Sequence, residues 1–382
     1  GFKSRGLGDV YKRQLHNGEN VFDEFTFRID PSGTNLHDLG GTGLKTSDAE
    51  DGPIRRSEAI DVEVCLQIDS QQLPFRTRVR FMPGEYRRDL SDQITIPLTG
   101  EVFHSINERV RATIYVSVAC RNEVLHRHTY PVWLAPADQW TLDAGQIGWL
   151  PSFVQPRDPA VAKTIGIAQG YLQCLADRVS VGFDGYQSYD DFASGSARWD
   201  GVERQVQALW AALVFGTKLH YINPPPSYAE FTQRLRTPGD TLAGRFGTCV
   251  DLALLFSSCL EWIEVHPVLF LLNGHVFPGY WKDPEAHRRY MDVLIDDDSQ
   301  PSELADLPDD HDSKRWVAGP KTYGEIKQFV DRGELIPLET VGLTRSIGYQ
   351  AAIDEGRTHF YKNRSRTFRA MIDIVSARHG NG

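Results

Sequence analysis

Three features of the 382-residue chain predict an α+β fold. Between residues 59 and 135 short alternating apolar segments recur, split by polar turns, as in an antiparallel β-sandwich. From residue 160 the apolar period becomes helical. Within that second half Val250–Ile263 (VDLALLFSSCLEWI) is apolar nearly all round, the mark of a helix buried at a domain centre.

The elements follow in order. Residues 1–14 resemble a translated sequencing-adaptor scar and are set aside from the fold reading. Val21–Ile29 reads as a strand and Pro31–Asp51 as a Gly/Ser/Asp-rich loop. Ala59–Ile68, Phe75–Phe81, Ile94–Leu98, Val110–Ala119 and Val124–Leu134 are the expected strands of a β-sandwich-like domain over 15–135. Residues 136–159 read as a linker.

A second domain is expected over 160–382, with helices at Ala160–Arg178 and Val202–Phe215. Pro224-Pro225-Pro226 must be extended and reads as a stiff spacer or a groove wall. Pro267–Leu272 is a buried strand, Asn273-Gly274 a hairpin turn, and His275–Trp281 the returning strand. Pro278 demotes that strand to an edge or bulge. The acid-rich stretch 282–313 reads as an insertion or mobile loop. Leu335–Leu343 reads as a strand, and Tyr349–Ile353 and Ser365–Ala377 as helices. The chain stops at Gly382 without a clear ending, as a piece of a longer protein would.

Composition bounds the function. At 41% hydrophobic and 24% charged residues the chain reads as ordinary globular protein. A net charge of −10 speaks against a nucleic-acid surface. No apolar run reaches the roughly 20 residues of a membrane span, and no secretory signal opens the chain. The five cysteines (65, 120, 174, 249 and 259) are scattered, with no C-x-x-C pair, which fits a reducing cytoplasm and no zinc site. Asp296-Asp297-Asp298 lacks the spaced ligands of a calcium loop. No cofactor is implied.

Cys249 stands apart from the other cysteines. It follows Gly247-Thr248 and directly precedes the central apolar helix. Helix N-termini stabilise thiolates. With His275 on a nearby strand, this is how a thiol nucleophile is built.

Arg245-Phe246-Gly247-Thr248-Cys249-Val250-Asp251, then Asn273-Gly274-His275-Val276-Phe277, then Ile336-Pro337-Leu338-Glu339-Thr340 resemble the three core motifs of the transglutaminase-like superfamily. The likeness is strongest over 201–281 and is closest to bacterial members with an Ile-Asn-Pro-Pro-Pro-Ser segment upstream of the cysteine. It implies a papain-like fold, with the central helix packed on an antiparallel sheet. Cys249 is then the nucleophile, His275 the general base and acid, and Glu339 the residue that orients the imidazole. The family most often uses Asp at that last position. Asp292, nearer to His275 in sequence, is the alternative acid. Gln205, Tyr221 and Asn223 are candidates for oxyanion or substrate contacts beside the Cys249 N–H.

The resemblance implies a cysteine-dependent protease or isopeptidase acting on protein or peptide, regulated by another domain or protein, in a bacterial defence or regulatory setting. The same triad serves protein crosslinking or removal of a glycan-linked amide. A third expectation is an adaptor that binds partners through the N-terminal domain, its triad inert. Neither nucleic acid nor membrane is expected as a partner.

Overall fold

The computed structural model describes residues 26–28, 59–68, 75–82, 87–89, 105–120, 123–134, 136, 138–141, 147–176, 181–190, 193–224, 232–296, 316–361 and 367–379. The chain divides into two compact units, 1–139 and 140–382, and is a mixed α+β protein with antiparallel sheets.

The first unit contains β1 (Thr26–Arg28), β2 (Ile60–Ile68), β3 (Phe75–Phe81), β4 (Arg87–Asp89), β5 (Val110–Cys120) and β6 (Glu123–Leu134). β1 pairs antiparallel with β4. The other four form an antiparallel sheet in the order β3-β2-β5-β6. Alternation decides its faces. Ile60, Val62, Val64, Leu66 and Ile68 are buried with Ala112, Ile114, Val116 and Val118. Asp61 and Glu63 point the other way and pair with Arg80 and Arg78. The expected strand at Ile94–Leu98 lies outside the described residues.

The second unit is built around one helix. α1 (Pro159–Ala176), α2 (Asp200–Thr217) and α3 (Pro238–Gly244) precede α4 (Cys249–Trp262), whose residues are buried from Cys249 through Leu260. Two short strands, β7 (His220–Tyr221) and β8 (Phe246–Gly247), pair in parallel just before α4. β9 (Pro267–Leu272), β10 (His275–Trp281), β11 (Val317–Ala318), β12 (Leu335–Pro337) and β13 (Phe368–Asp373) form an antiparallel sheet in the order β11-β13-β9-β10-β12. α5 (Pro284–Asp296), α6 (Tyr323–Asp331), α7 (Tyr349–Thr358) and α8 (Ile374–His379) complete it.

Both faces of this sheet are covered, which is why β9 reads as an unbroken apolar run. Leu269 and Leu271 face Val250, Ala253 and Leu254 of α4. Val268 and Phe270 face Ala286 and Tyr290 of α5 and Phe329 of α6. The far side of α4 (Leu252, Leu255, Phe256, Cys259) packs on Ile165 of α1 and Leu209 and Leu213 of α2. A helix enclosed on every side must be apolar on every side.

Four expectations change. The supposed loop 282–313 begins with α5, where Ala286 and Tyr290, four residues apart, turn one face inward while Arg288 and Arg289 face water. Residues 297–313 of that stretch lie outside the described ones. Ser365–Ala377 is not one helix: Phe368–Asp373 is a strand, and helix begins at Ile374. Leu335–Leu343 is strand only to Pro337, followed by a 3-10 helix at Thr340–Arg345. β10 is not an edge strand, because it pairs with both β9 and β12. Pro278 is tolerated because its missing N–H would point toward β12, where pairing ends: its carbonyl accepts from Leu338 N at 2.9 Å on that side.

Candidate active site

The site is assembled from four pieces of the second unit. The first is the start of α4. Arg245 takes the left-handed conformation at φ 58° and turns the chain out of α3. Thr248 caps α4 in a capping box: its hydroxyl accepts from Asp251 N at 3.3 Å, and its own N–H donates to Asp251 Oδ2 at 2.9 Å. Asp251 is fully buried and also accepts from Arg236 N at 2.8 Å and from the Arg236 guanidinium at 3.0 Å. Gln233 donates to the Thr248 hydroxyl at 3.1 Å. Gly247 leaves room for the box: a Cβ there would lie 3.1 Å from the Asp251 Cβ, tighter than an ordinary contact. These bonds fix Cys249 as the first residue of the helix. The box uses the N–H groups of Thr248 and Asp251 and leaves those of Cys249 and Val250 outside it, at the positive end of the helix.

The second piece is Tyr221. The parallel β7–β8 pair holds it beside the cysteine: His220 N donates to Arg245 O at 2.9 Å and Ile222 N to Gly247 O at 3.1 Å. Its hydroxyl lies within hydrogen-bonding reach of Cys249. Burial, and then the neighbouring Cys249 and Glu339, push the Tyr221 phenol upward, so it stays an O–H donor.

The third piece is His275, first residue of β10, reached through Gly274 at φ 73°. The ring is half-buried, stacks on Phe277, and lies within hydrogen-bonding reach of the Cys249 thiol. Its Nε2 is 2.7 Å from Glu339 Oε2, so Nδ1 is the nitrogen left for the thiol.

The fourth piece is Glu339, two residues past β12. The main chain enters this position by Leu338 N bonding to Pro278 O and Glu339 N to Ala352 O at 3.0 Å. The buried carboxylate caps the following 3-10 helix, accepting from Val341 N at 3.1 Å through Oε1. Through Oε2 it meets His275 and also His359 Nε2 at 3.2 Å.

The electrostatics follow from these contacts. Burial pulls the His275 imidazolium down, but its bonds to Cys249 and Glu339 outweigh that and push it up to about 10. Burial pushes the Glu339 carboxyl up, but hydrogen bonds from His275 and His359 outweigh it and bring it down to about 2. Glu339 is therefore an anion and His275 is poised as a cation at neutral pH.

The site opens on a cleft of about 450 Å³ lined by Tyr221, His275, Glu339, Arg345, Glu355 and His359 among others. Cys249 is 7% exposed and interacts with both Tyr221 and His275. The donor atoms of His275, Glu339 and His359 fall within 4.8 Å of one another, near enough for a divalent cation. The hydrogen bonds, however, put protons on both Nε2 atoms, the atoms that would have to ligate. His359 Nδ1 is enclosed and has no partner, whereas a metal-bound imidazole normally donates from its second nitrogen.

Cys249, His275, Glu339 and Tyr221 thus come together. Three sequence candidates do not. Gln205 is buried in α2 and spent on Asp184 N, Gly185 N and Gly185 O, where it closes a loop. Asp292 is exposed on α5, while the His275 nitrogen it would serve is already taken by Glu339. Asn223 is exposed two residues beyond Tyr221. The residue that sequence reasoning missed is His359. It follows α7 with no motif around it, and only the tertiary fold brings it to Glu339.

No protein-family model, no curated protein and no solved structure matches the chain.

Proposed function

We propose that the second unit is a cysteine-dependent amide hydrolase, a protease or isopeptidase with a transglutaminase-like arrangement. The observation that carries this reading is the single imidazole shared between the Cys249 thiol and the buried Glu339 carboxylate, at the mouth of a cleft. The helix on the sheet, with cysteine at the helix start and histidine on the adjacent hairpin, supports the resemblance of the three motifs. The four-stranded sheet of the first unit would be one layer of the proposed sandwich.

The steps follow from the geometry. With the thiol proton already held on His275 Nδ1, the Cys249 sulfur adds to the carbonyl carbon of the amide. The oxyanion takes hydrogen bonds from the Cys249 N–H and the Tyr221 hydroxyl. The C–N bond breaks as His275 returns its proton to the leaving amine, and a thioester remains. Water, deprotonated by His275, then cleaves the thioester and regenerates the thiol. Glu339 keeps the imidazole oriented and stabilises its charged form. Proteins or peptides fit the open cleft as substrates. Regulation by a further domain or protein, a cytoplasmic location and a role in bacterial defence belong to the same proposal. Among the described residues no helix is long and apolar enough to cross a membrane.

The test is alkylation of the intact protein with iodoacetamide near neutral pH, followed by peptide mapping. Rapid modification at Cys249 that is lost in His275→Ala supports the triad; modification spread evenly over the cysteines defeats it. Peptide-library cleavage with Cys249→Ala as control then separates hydrolysis from crosslinking or deglycosylation, in which amine or glycan-linked amide substrates would react instead.

A further inference from the structure

Glu339 serves two histidines, and the triad uses only one of them. His359 closes the C-terminal end of α7, its ring stacked on Phe277 at 4.7 Å between centroids and 29° between planes. Phe277 also stacks on His275, at 5.7 Å and 24°. One phenyl ring therefore braces both imidazoles, whose centroids are 5.5 Å apart. Both Nε2 atoms aim at the same oxygen, Glu339 Oε2, at 2.7 and 3.2 Å.

The tautomer of His359 follows from what surrounds it. A carboxylate only accepts, so Nε2 must donate. The opposite tautomer would set two lone pairs face to face at 3.2 Å and leave a buried N–H on Nδ1, which has no partner. Arg345, which also lines the cleft, feels the Glu339 charge but gives its hydrogen bonds to Glu355. Tyr221 faces Cys249. His359 is thus the one donor besides His275 and the Val341 N–H that the described residues supply to this carboxylate.

We propose that His359 is a positioning residue: as the Nε2–H tautomer it pins Glu339 Oε2 in the line of the His275 ring and keeps the carboxylate an anion. Its consequence for reactivity rests on the hydrolase reading; the pinning itself does not. Without His359, Glu339 keeps its anchor on Val341 N but loses the second donor on the oxygen that faces His275. The carboxylate then turns more freely, and His275 holds the thiol proton less well.

Three measurements test this. In the wild-type protein, nitrogen NMR of labelled histidine should find His359 protonated on Nε2; a proton on Nδ1 alone overturns the proposal, whatever the enzyme does. His359→Phe keeps the stacking on Phe277 but removes the donor, and His359→Gln restores an N–H at similar reach. Cys249 alkylation at neutral pH should fall about tenfold in His359→Phe, the effect of one lost charge-assisted hydrogen bond, and return to within about twofold of wild type in His359→Gln. The alkaline midpoint of the His275 titration should fall in the Phe variant and recover in the Gln variant. A purely structural His359 would move neither together. Unchanged alkylation and titration in a folded His359→Phe, or a folded His359→Gln as impaired as Phe, would overturn the role. If wild-type Cys249 is itself no more reactive than the other cysteines, the hydrolase reading fails, while the NMR tautomer still judges the pinning.

Discussion

Replacing Glu339 by Gln isolates the charge of the proposed triad's acid while nearly preserving its size. In the native protein the His275 imidazolium is pushed up to about 10, against 6.5 for an ordinary histidine. The carboxylate that helps hold it there is buried and only 2.7 Å from Nε2. With the two charges centred about 4 Å apart and an effective dielectric of about 20, their attraction is about 4 kcal/mol. At about 1.4 kcal/mol for each pH unit, losing it carries the His275 midpoint from about 10 to about 7. The amide oxygen of Gln still accepts from Nε2, so the ring keeps its place and the change is one of charge. Nitrogen NMR titration of histidine-labelled protein reads the midpoint directly, as an apparent value of the coupled Cys249–His275 pair. The alkaline limb of any pH–rate profile should fall with it. A Glu339→Gln protein whose His275 midpoint stays within about half a pH unit of wild type would refute the assignment of Glu339 as the charge that sets it.

The same shifts make stability depend on pH from both sides. Glu339, held down to about 2 against 4.5 unfolded, contributes stability that is complete above 4.5 and lost as pH falls toward 2; His275, raised to about 10 from 6.5, contributes stability that is complete below 6.5 and lost as pH rises through 10. Urea midpoints across this range should decline at both ends, and the acid decline should be shallower in Glu339→Gln. Asp251→Ala removes the buried cap of α4 and unpairs Arg236, at a cost of about 3 kcal/mol, the low end for a buried pair because the guanidinium is partly wet; equilibrium unfolding would measure it, and Cys249 alkylation should lose its selectivity as the helix start frays. Prolonged treatment with a chelator should change neither the thermal midpoint nor the rate of Cys249 alkylation, since the cluster of His275, Glu339 and His359 is held by protons. Glu339→Asp should slow alkylation about tenfold, because the shorter arm cannot reach His275 and Val341 N together, each a bond to a charged acceptor.

The centre of the second unit was legible because its local signals agree with its tertiary role. The all-round apolar α4 is apolar because it is enclosed, and β9 with the Asn273-Gly274 turn falls where the pattern puts it. Gly247-Thr248 ahead of the apolar run was enough to place Cys249 at the helix start, where the fold adds a capping box between Thr248 and Asp251. Where local signals conflict, the reading failed. Phe368–Asp373 (FRAMID) is a short apolar run, and periodicity cannot tell a doubly covered strand from a buried helix. α5 was hidden by the acids around it, although Ala286 and Tyr290 carry its inward face. Gln205 looked like a polar group near the site, but its partners, the backbone of Asp184 and Gly185, come from a loop that sequence does not bring to it. His359 was invisible for the same reason: its meaning is a distance to a residue 20 positions away across a turn and a helix.

The length of Glu339 suits the contacts it makes, where the motif it resembles most often has aspartate. The main chain at 339 is fixed on two sides, by Leu338 bonding to Pro278 and by Glu339 N bonding to Ala352 O. From that fixed point the side chain must cap the 3-10 helix at Val341 with one oxygen and face His275 with the other. It must also present that second oxygen to His359, which approaches from the end of α7. With one oxygen committed to the backbone and the other held by His359, the acid cannot swing, so the imidazole it holds is oriented by the fold and not by its own rotamer. The same commitment ties the site to α7 and to the strand that precedes it. A disturbance of either element reaches Cys249 through one carboxylate, which makes Glu339 the point where the packing of the second unit and the reactivity of the thiol meet.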